Sequence, residues 1–344
     1  MTIGVGIIGC GLIGSRRAQD AHEHPCSCVK YVSDVVPESS LLLADKYGCE
    51  SASDWKTMVA DKSVDIVVIC TPNGFATEIA VAALSAGKHV LVEKPPGRNL
   101  SETLRLSNTA HRTGLVLKVG FNHRYHPAIS RARDVVAQGT IGDVIHVRAR
   151  YGHGGRPGYE QEWRANPVHA GGGELLDQGI HIADLFHWFL GVPLEAFAWL
   201  QTAVWPIEPL EDSAFGMFRY HDGKVASLHT SWTQWKNLFS FEIFGESGSV
   251  SIEGLGGSYG TERLITAIRR STGGPPRINE EEFPGPDLSW KSEWADFVSA
   301  VTENKPYWGT PQDGINAMAM IDALYRSAHS GTVASLEEKQ AAES

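Results

Sequence analysis

Short apolar runs alternate with longer stretches of helical spacing over the first 120 residues of the chain. The runs are rich in Val and Ile and end at turn-forming residues, a pattern typical of strands buried on both faces of a parallel sheet. Strands are predicted at residues 3–8, 29–33, 66–69, 89–92 and 115–119, with a weak one near Cys49, and helices from near Leu12, Pro37, Ser53, Gly74 and Leu100. This alternation indicates an α/β domain with a doubly wound parallel sheet.

Beyond residue 122 strands dominate and are joined by hairpin signals such as His221-Asp222-Gly223. The predicted strands are residues 144–151, 197–204, 213–219, 225–232, 239–244, 249–252 and 264–269, and the predicted helices are residues 126–138, 174–189, 290–303 and 314–328. Residues 152–173 form a Gly-rich loop, and residues 273–286 are expected to be a surface loop. We therefore predict two domains: an α/β domain at 1–122, and an α+β domain at 123–344 with a large, mostly antiparallel open sheet of about six strands.

Composition and charge exclude several classes of protein. A chain of 344 residues suffices for two domains, and its formal net charge of -10 argues against a nucleic-acid partner, because phosphate binding needs a basic face. No apolar run reaches membrane-spanning length, and the first predicted strand begins at Ile3 with no secretory signal before it. We therefore expect a cytoplasmic protein that does not contact a membrane.

The five cysteines all lie within the first seventy residues. Cys10 lies inside the glycine-rich segment at residues 9–14 and Cys70 at a strand end, which is typical of small apolar thiols packed in a reducing compartment. A group at His22, His24, Cys26 and Cys28 has a composition that metals favour, but it lacks Cys-x-x-Cys spacing. We expect no metal site.

A glycine fingerprint follows the first predicted strand. In Gly9-Cys10-Gly11-Leu12-Ile13-Gly14, the first glycine permits a tight turn, the second lets the backbone approach a pyrophosphate, and the third allows close packing of helix on strand. The following helix would direct its N-terminus at the phosphates. These residues are the predicted cofactor cradle of a Rossmann domain.

Asp34 ends the second predicted strand, twenty residues after Gly14. A carboxylate there accepts hydrogen bonds from ribose hydroxyls and repels a 2′-phosphate, which favours NAD over NADP. The alternative is that Asp34 caps the helix beginning at Pro37. Thr71, Pro72 and Asn73 follow the strand at 66–69 and are predicted to contact the cofactor, although capping alone would also explain Asn73.

Glu93-Lys94-Pro95 follows the strand at 89–92, so Lys94 should emerge at the carboxyl end of the sheet, where ligands of such sheets bind. Proline makes a cis Lys94–Pro95 bond plausible. Lys94 is a candidate catalytic residue and Glu93 a candidate cofactor contact. A lysine that only solvates a turn is the alternative.

Asp177 and His181 are four residues apart, so on one helix they share a face. A histidine can take the proton of an alcohol as hydride leaves its carbon, and a neighbouring carboxylate can fix the tautomer. A purely structural pair is the alternative.

The loop at residues 152–173 carries hydrogen-bond donors and aromatic rings suited to a polyhydroxylated ring. Two further candidates, Asn122 and Arg124, follow the last predicted strand of the first domain. Together these residues are the predicted substrate set: Asn122, Arg124, His153, Arg156, Tyr159, Trp163 and Arg164. Arg124 alternatively pairs with an acid, and Trp163 alternatively packs into the core.

The order of these motifs resembles the glucose–fructose oxidoreductase/inositol dehydrogenase (Gfo/Idh/MocA) family. The motifs are Gly9-x-Gly11-x-x-Gly14, Cys70-Thr71-Pro72-Asn73, Glu93-Lys94-Pro95, Gly120-Phe121-Asn122-His123-Arg124-Tyr125-His126-Pro127 and Asp177-x-x-x-His181. The resemblance implies that His181 is a general base towards a secondary hydroxyl, that Asp177 orients it and that Lys94 binds the reacting oxygen. It also implies a homodimer or homotetramer formed through the open sheet.

Three functions remain open. The leading one is an NAD-dependent dehydrogenase or ketoreductase acting on a sugar, sugar derivative or cyclitol. A second is a redox-neutral glycosidase that retains NAD. A third is a non-catalytic sensor of sugar and nucleotide, which has no need of a proton-transfer set. The substrate and the direction of hydride transfer are not determined by the sequence.

Overall fold

The computed structural model describes residues 2–336. They divide into two compact units. The first unit contains the chain up to Asn122 together with Val168–Gly171 and Trp290–Ile315, and the second contains the remainder. The predicted second domain, 123–344, included both of the later segments that the structure places in the first unit.

The first unit is built on a six-stranded sheet in the order β3-β2-β1-β4-β5-β6, with every neighbouring pair parallel. Its strands are β1 Ile3–Ile8, β2 Ser27–Ser33, β3 Glu50–Ser51, β4 Ile66–Ile69, β5 His89–Val92 and β6 Leu117–Val119, and its helices include α1 Leu12–Glu23, α2 Pro37–Tyr47, α3 Trp55–Ala60, α4 Asn73–Ser85 and α5 Leu100–Thr113. Strands β1, β4 and β5 are almost wholly buried, as the apolar runs predicted. The strand order reverses between β1 and β4, the position where such sheets bind ligands.

The second unit is built on a nine-stranded sheet in the order β14-β13-β12-β11-β7-β10-β9-β8-β15. Only β7 and β10 pair in parallel among these strands. The elements after β6 are α6 Pro127–Ala137, β7 Val144–Gly152, α7 Pro167–Ala170, α8 Glu174–Asp177, α9 Gly179–Leu190, β8 Glu195–Gln201, β9 Ser213–Arg219, β10 Val225–Ser231, β11 Leu238–Gly245, β12 Gly248–Glu253, β13 Glu262–Ile268, β14 Arg277–Phe283, α10 Ser289–Glu303, α11 Pro311–Ser330 and β15 Ala334–Ser335. The large, mostly antiparallel open sheet is confirmed, but it has nine strands rather than the six or so predicted.

The expectation of a surface loop at residues 273–286 was wrong. Residues 277–283 form β14, which pairs antiparallel with β13 along its whole length. The strand lies at the edge of the sheet and carries three consecutive glutamates, so it lacks the apolar alternation by which strands are recognised. Charged residues are common on edge strands, where they discourage pairing with another chain.

Helix α10 packs with the first unit because its apolar side chains complete that unit's core. Trp294 and Phe297 are fully buried in one cluster with Val5 and Ile7 of β1. The indole nitrogen of Trp294 donates a hydrogen bond to the Ser27 hydroxyl at 3.2 Å. The sequence placed this helix in the second domain because it follows the antiparallel strands in the chain.

Replacing Trp294 by Ala should lower the free energy of unfolding by about 3–5 kcal/mol, since it leaves a cavity in the core and removes the hydrogen bond to the Ser27 hydroxyl. Leu42→Ala, at a helical residue that is 74% exposed in the same unit, should change it by no more than about 0.5 kcal/mol. Urea unfolding of both variants measures the difference. Equal losses of stability would contradict the assignment of α10 to this core.

Candidate active site

The fingerprint turn has the backbone geometry that its glycines predicted. Gly9 has a φ of +91°, and a Cβ on it would lie 2.6 Å from the carbonyl oxygen of Cys70. A Cβ on Gly14 would lie 1.8 Å from the carbonyl oxygen of Gly9, so both positions exclude any side chain. A Cβ on Gly11, by contrast, would meet no protein atom within 4 Å. The turn therefore leaves open space at the start of α1, next to the exposed side chain of Leu12 and the half-buried one of Ile13.

Asp34 ties the end of β2 to this turn. Its Oδ2 accepts a hydrogen bond from the backbone N–H of Cys10 at 2.6 Å, and its Oδ1 accepts one from Val36 at 2.8 Å. The N-cap of α2 is Val36, with no side-chain cap, so the alternative that Asp34 caps that helix is wrong. The side chain is only partly buried and lies beside the glycine turn, as a ribose-binding carboxylate requires.

The turn after β4 contributes a second polar group. The Thr71 hydroxyl is buried and has no hydrogen-bond partner among residues 2–336. Pro72 is the N-cap of α4 and Asn73 its first residue, so Asn73 does not cap the helix. The Asn73 amide instead donates to the carbonyl of Ala170 at 2.8 Å. Asn73 therefore anchors the segment Val168–Gly171, whereas Thr71 keeps a donor available for a ligand.

Glu93 belongs to a buried charge network. The guanidinium of Arg17, on α1, lies 2.6 Å from Glu93 Oε1 and 2.7 Å from Glu293 Oε2, on α10. Arg17 and Glu293 are fully buried and Glu93 nearly so. A Cβ on Gly120 would lie 2.9 Å from Glu93 Oε2, so this glycine makes room for the network. The Glu93 carboxylate therefore holds the turn in which Lys94 sits.

Lys94 follows directly and is half-buried, while Pro95 is buried. The Lys94–Pro95 peptide bond is cis, as the proline made plausible. The side chain of Lys94 leaves the carboxyl end of β5 in the first unit.

Asp177 and His181 do not lie on one continuous helix. The helix predicted at 174–189 breaks at Gln178 into α8 and α9, and the N–H of His181 donates to the carbonyl of Gln178, three residues back, at 3.0 Å. The Gln178 side chain donates to the Tyr259 hydroxyl at 2.9 Å. A turn with hydrogen bonds to the residue three positions back winds more tightly than an α-helix. Asp177 and His181 therefore do not have the α-helical spacing from which a shared face was predicted.

Glu211 holds the start of α8. Its Oε1 accepts hydrogen bonds from the backbone N–H groups of Gly173 and Leu175 at 3.1 and 3.0 Å, and from the Tyr325 hydroxyl at 2.7 Å. A Cβ on Gly173 would lie 2.1 Å from the Glu211 carbonyl oxygen. Burial raises the pKa of the Glu211 carboxyl, although these donors favour its charged form.

His181 lies on α9 in a buried aromatic pocket of the second unit. Its ring stacks on that of His123 with the centroids 3.6 Å apart and an angle of 20° between the planes. Tyr151, on β7, approaches the His181 ring edge-on at 6.4 Å. Burial holds the pKa of the Tyr151 phenol well above its usual range, so this hydroxyl stays protonated.

The carboxylate of Asp177 faces a cation of the preceding loop. Arg164 Nε donates to Asp177 Oδ2 at 3.2 Å, and its guanidinium lies over the Trp163 ring at 4.5 Å. Arg156 forms a bidentate pair with Glu162 at 2.6 and 2.7 Å. Both arginines that the loop contributes to the predicted substrate set are therefore already paired with carboxylates.

Three aromatic residues of the predicted substrate set differ in exposure. Tyr159 is buried against Trp232, with the ring centroids 4.6 Å apart. His153 and Trp163 remain partly exposed, so Trp163 does not pack fully into the core. Burial lowers the pKa of His153, which keeps its ring neutral near pH 7.

Arg124 has a different environment from the one predicted for a substrate contact. Its guanidinium forms a buried bidentate pair with Asp184 of α9, at 2.9 and 2.6 Å. This matches the alternative that Arg124 pairs with an acid. Asn122, also buried, is the last residue of the first unit before His123.

The predicted site residues fall into two sets on different units. The fingerprint, Asp34, Thr71 and Lys94 lie in the first unit, and Asp177, His181 and the arginines of residues 152–173 lie in the second. Of the latter, the structure pairs Arg164 with Asp177. Sequence reasoning missed Arg17, Glu211 and His123 as parts of these sites. His123 stood within a quoted motif, but no sequence spacing indicates that it stacks on His181.

Within residues 2–336, no group of three or more His, Cys, Asp and Glu side chains is arranged to hold a metal ion. None of the helices in that range is both long and apolar enough to cross a membrane.

Comparison with known proteins gives matches in both halves of the chain. Residues 3–121 match a family model described as an oxidoreductase family with an NAD-binding Rossmann fold, and residues 129–251 match the GFO/IDH/MocA C-terminal domain. A 1,5-anhydro-D-fructose reductase of Ensifer adhaerens is 31% identical over 84% of each chain. A D-glucoside 3-dehydrogenase of Escherichia coli is 29% identical over 84% of this chain and 85% of its own. The structure of a levoglucosan dehydrogenase in complex with NADH and levoglucosan superposes with a TM-score of 0.88 at 25% identity, covering 97% of this chain and 99% of that one.

The thiol inside the fingerprint should be chemically inert. Burial and the neighbouring Asp34 charge raise the pKa of Cys10 to about 12, so its reactive thiolate is scarce until the pH approaches that value. Iodoacetamide at about pH 8 should modify the exposed Cys26 and leave Cys10 unmodified, and peptide mass spectrometry measures both. Equal modification of the two thiols would contradict this environment for Cys10.

Proposed function

This chain belongs to the Gfo/Idh/MocA family of oxidoreductases, and we propose that it is an NAD-dependent enzyme that interconverts a secondary alcohol and a ketone on a sugar, sugar derivative or cyclitol. The observation that carries the proposal is the glycine turn, which is closed to side chains at Gly9 and Gly14 and open at Gly11. A backbone of this shape at the start of a helix is suited to a pyrophosphate.

The residues of the first unit fit the cofactor. Gly11, Leu12, Ile13 and Gly14 would receive the pyrophosphate at the start of α1, and the buried hydroxyl of Thr71 has a donor that none of the described residues accepts. Asp34 would accept hydrogen bonds from the ribose hydroxyls. Its carboxylate repels a 2′-phosphate, which favours NAD over NADP.

The proton chemistry is assigned to three side chains. When bound, NAD would accept the hydride that leaves the sugar carbon. His181 would take the hydroxyl proton as the C–O bond becomes a carbonyl, and Lys94 would donate a hydrogen bond to that oxygen. Asp177, held by Arg164, would orient the imidazole. In the reducing direction His181 returns the proton.

The substrate is proposed to be an uncharged polyol. The relatives are named for 1,5-anhydro-D-fructose, a D-glucoside and levoglucosan, all of them sugar derivatives. Arg156 and Arg164 are paired with Glu162 and Asp177, so neither offers an uncompensated charge to an anionic substrate. The partly exposed His153 and Trp163 would contact hydroxyls and C–H groups of the ring.

We also propose that the protein is a homodimer or homotetramer joined through the open face of the nine-stranded sheet. Trp199 on β8 and Phe215 and Met217 on β9 project from that face, and Trp199 is 61% exposed. Contiguous exposed apolar side chains of this size mark interaction surfaces. Light scattering of the purified protein distinguishes the monomer from these assemblies.

Lys94→Ala and His181→Ala should each lower kcat for NADH formation about 10²–10⁴-fold, since each removes a group that acts on the reacting oxygen or its proton. The double variant should lose much less than the product of the two effects if both groups serve one step. NADH formation from a panel of anhydrosugars, glucosides and inositols provides the assay. Lys62→Ala and His111→Ala, at exposed positions, serve as matched controls.

The same panel separates the alternatives. Release of an aglycone without net NADH would indicate the redox-neutral glycosidase. Binding of sugar and NAD with no turnover of any substrate would indicate the sensor. Unchanged NADH formation in Lys94→Ala and His181→Ala would exclude the catalytic assignment of both residues.

Asp34→Ala should raise KM for NAD by about tenfold or more while changing KM for NADP little, because only NAD loses a favourable contact. The ratio of the two constants is the readout, since damage to the turn through Cys10 would raise both together. Asp45→Ala, at an exposed acid of α2, is the matched control. Equal increases for the two cofactors would remove the argument for NAD.

A further inference from the structure

Two buried histidines of the second unit form a face-to-face pair. The rings of His123 and His181 lie 3.6 Å apart and nearly parallel, and the two residues are 4% and 5% exposed. His123 belongs to the short helical turn Asn122–Tyr125, and His181 to the first turn of α9. Residues from separate parts of the chain thus bring two titratable rings into van der Waals contact.

The rest of the pocket holds His123 in place. Tyr151 and Phe239 approach its ring edge-on, at 5.4 and 5.9 Å. His126 approaches it at 5.6 Å, also edge-on, and its own Nδ1 lies 2.5 Å from Glu262 Oε1. The ring of His123 therefore has little freedom to rotate away from His181.

We propose that His123 is a positioning residue for His181, which fixes the imidazole plane by stacking and sets the range of pH over which His181 accepts a proton. This inference rests on the proposed role of His181 as the proton acceptor. It concerns His123, which contacts His181 but is not proposed to touch the substrate.

The physical basis is repulsion between like charges. Two imidazolium rings in face-to-face contact repel strongly in a buried pocket, so the pair binds its first proton far more readily than its second. The two rings then titrate as one unit, with apparent midpoints that belong to the pair. Whenever His123 holds a proton, His181 binds a second proton less readily and so remains able to act as a base at lower pH.

Several charged groups around the pair are held in ion pairs. Asp177 is paired with Arg164, and Asp184, one turn after His181, is paired with Arg124. On the side of His123, the carboxylate of Glu262 is shared with His126, and Asp287 lies 4.0 Å from the other nitrogen of His126. The phenols of Tyr151 and Tyr259 are both held protonated, because burial raises the pKa of each. The buried carboxylate of Glu174, on α8, also faces this pocket, since its charge adds to the raised pKa of both phenols. Among the titratable groups named here, His123 is the one whose ring stacks directly on that of His181.

Two variants distinguish the effect of charge on His123 from the effect of stacking its ring on His181. His123→Phe keeps an aromatic ring over His181 but removes the titrating nitrogen atoms, whereas His123→Ala removes the ring. His111→Phe, at an exposed position of α5, controls for the exchange of His for Phe. The pH dependence of kcat/KM for sugar oxidation is measured for each, together with the imidazole ¹⁵N chemical shifts of the full-length protein.

With His123→Phe, we expect kcat at the optimum to stay within about threefold and the acid limb of the profile to move about one pH unit higher. The ¹⁵N titration of His181 should move in the same direction, and its two-step form should become a single step. His123→Ala should lower kcat about tenfold with KM for the sugar little changed, because the unsupported imidazole samples other orientations.

Superimposable pH profiles and ¹⁵N titrations for the native protein and His123→Phe would overturn the inference. If His123→Ala fails to fold, the pH profile and ¹⁵N titration of His123→Phe still test the inference. Unchanged NADH formation in His181→Ala would instead overturn the proposed function, and the ¹⁵N titration would still report whether the two rings are coupled. The two failures are therefore distinguishable.

Discussion

The first unit depends on the buried guanidinium of Arg17. Burial disfavours its charge, but Glu293 and Glu93 outweigh that cost and raise the pKa of Arg17, so it stays ionised. It joins the helix that follows the glycine turn, the end of β5 and α10. Removing one partner from such a network leaves an uncompensated buried charge and costs about 3–5 kcal/mol. The cofactor turn and the Lys94 turn are therefore built around one ionic contact.

Pairing of opposite charges recurs in the second unit and limits its chemistry. Arg164 pairs with Asp177, Arg156 with Glu162 and Arg124 with Asp184, so none of these three arginines carries an uncompensated charge. A ligand bound beside such pairs would be discriminated through hydrogen bonds rather than through attraction of ions. The uncharged polyol proposed as the substrate is consistent with that character.

Much of the fold was predictable because parallel strands buried on both faces appear in the sequence as short continuous runs of apolar residues. The strands β1, β4 and β5 match their predicted bounds, and the fingerprint turn follows β1 as expected. The prediction failed where sequence neighbours are not the residues that decide the structure. The acidic edge strand β14 buries little, and α10 packs on a core formed almost three hundred residues earlier. At the break between α8 and α9, the Gln178 side chain donates to Tyr259, which is distant in the chain.

The sequence by itself determined the family, the α/β and α+β architecture and the identity of the candidate acid, base and cofactor residues, because these depend on local spacing and on residue chemistry. Only the tertiary structure decided what each of them contacts. Arg124 became a buried partner of Asp184, Asn73 an anchor for Ala170, and His123 the ring beneath His181. The Arg124–Asp184 pair joins residues 60 positions apart, and the Asn73–Ala170 pair joins residues 97 positions apart. No periodicity encodes such pairs, since they form only when the packing of helices and strands brings the side chains together.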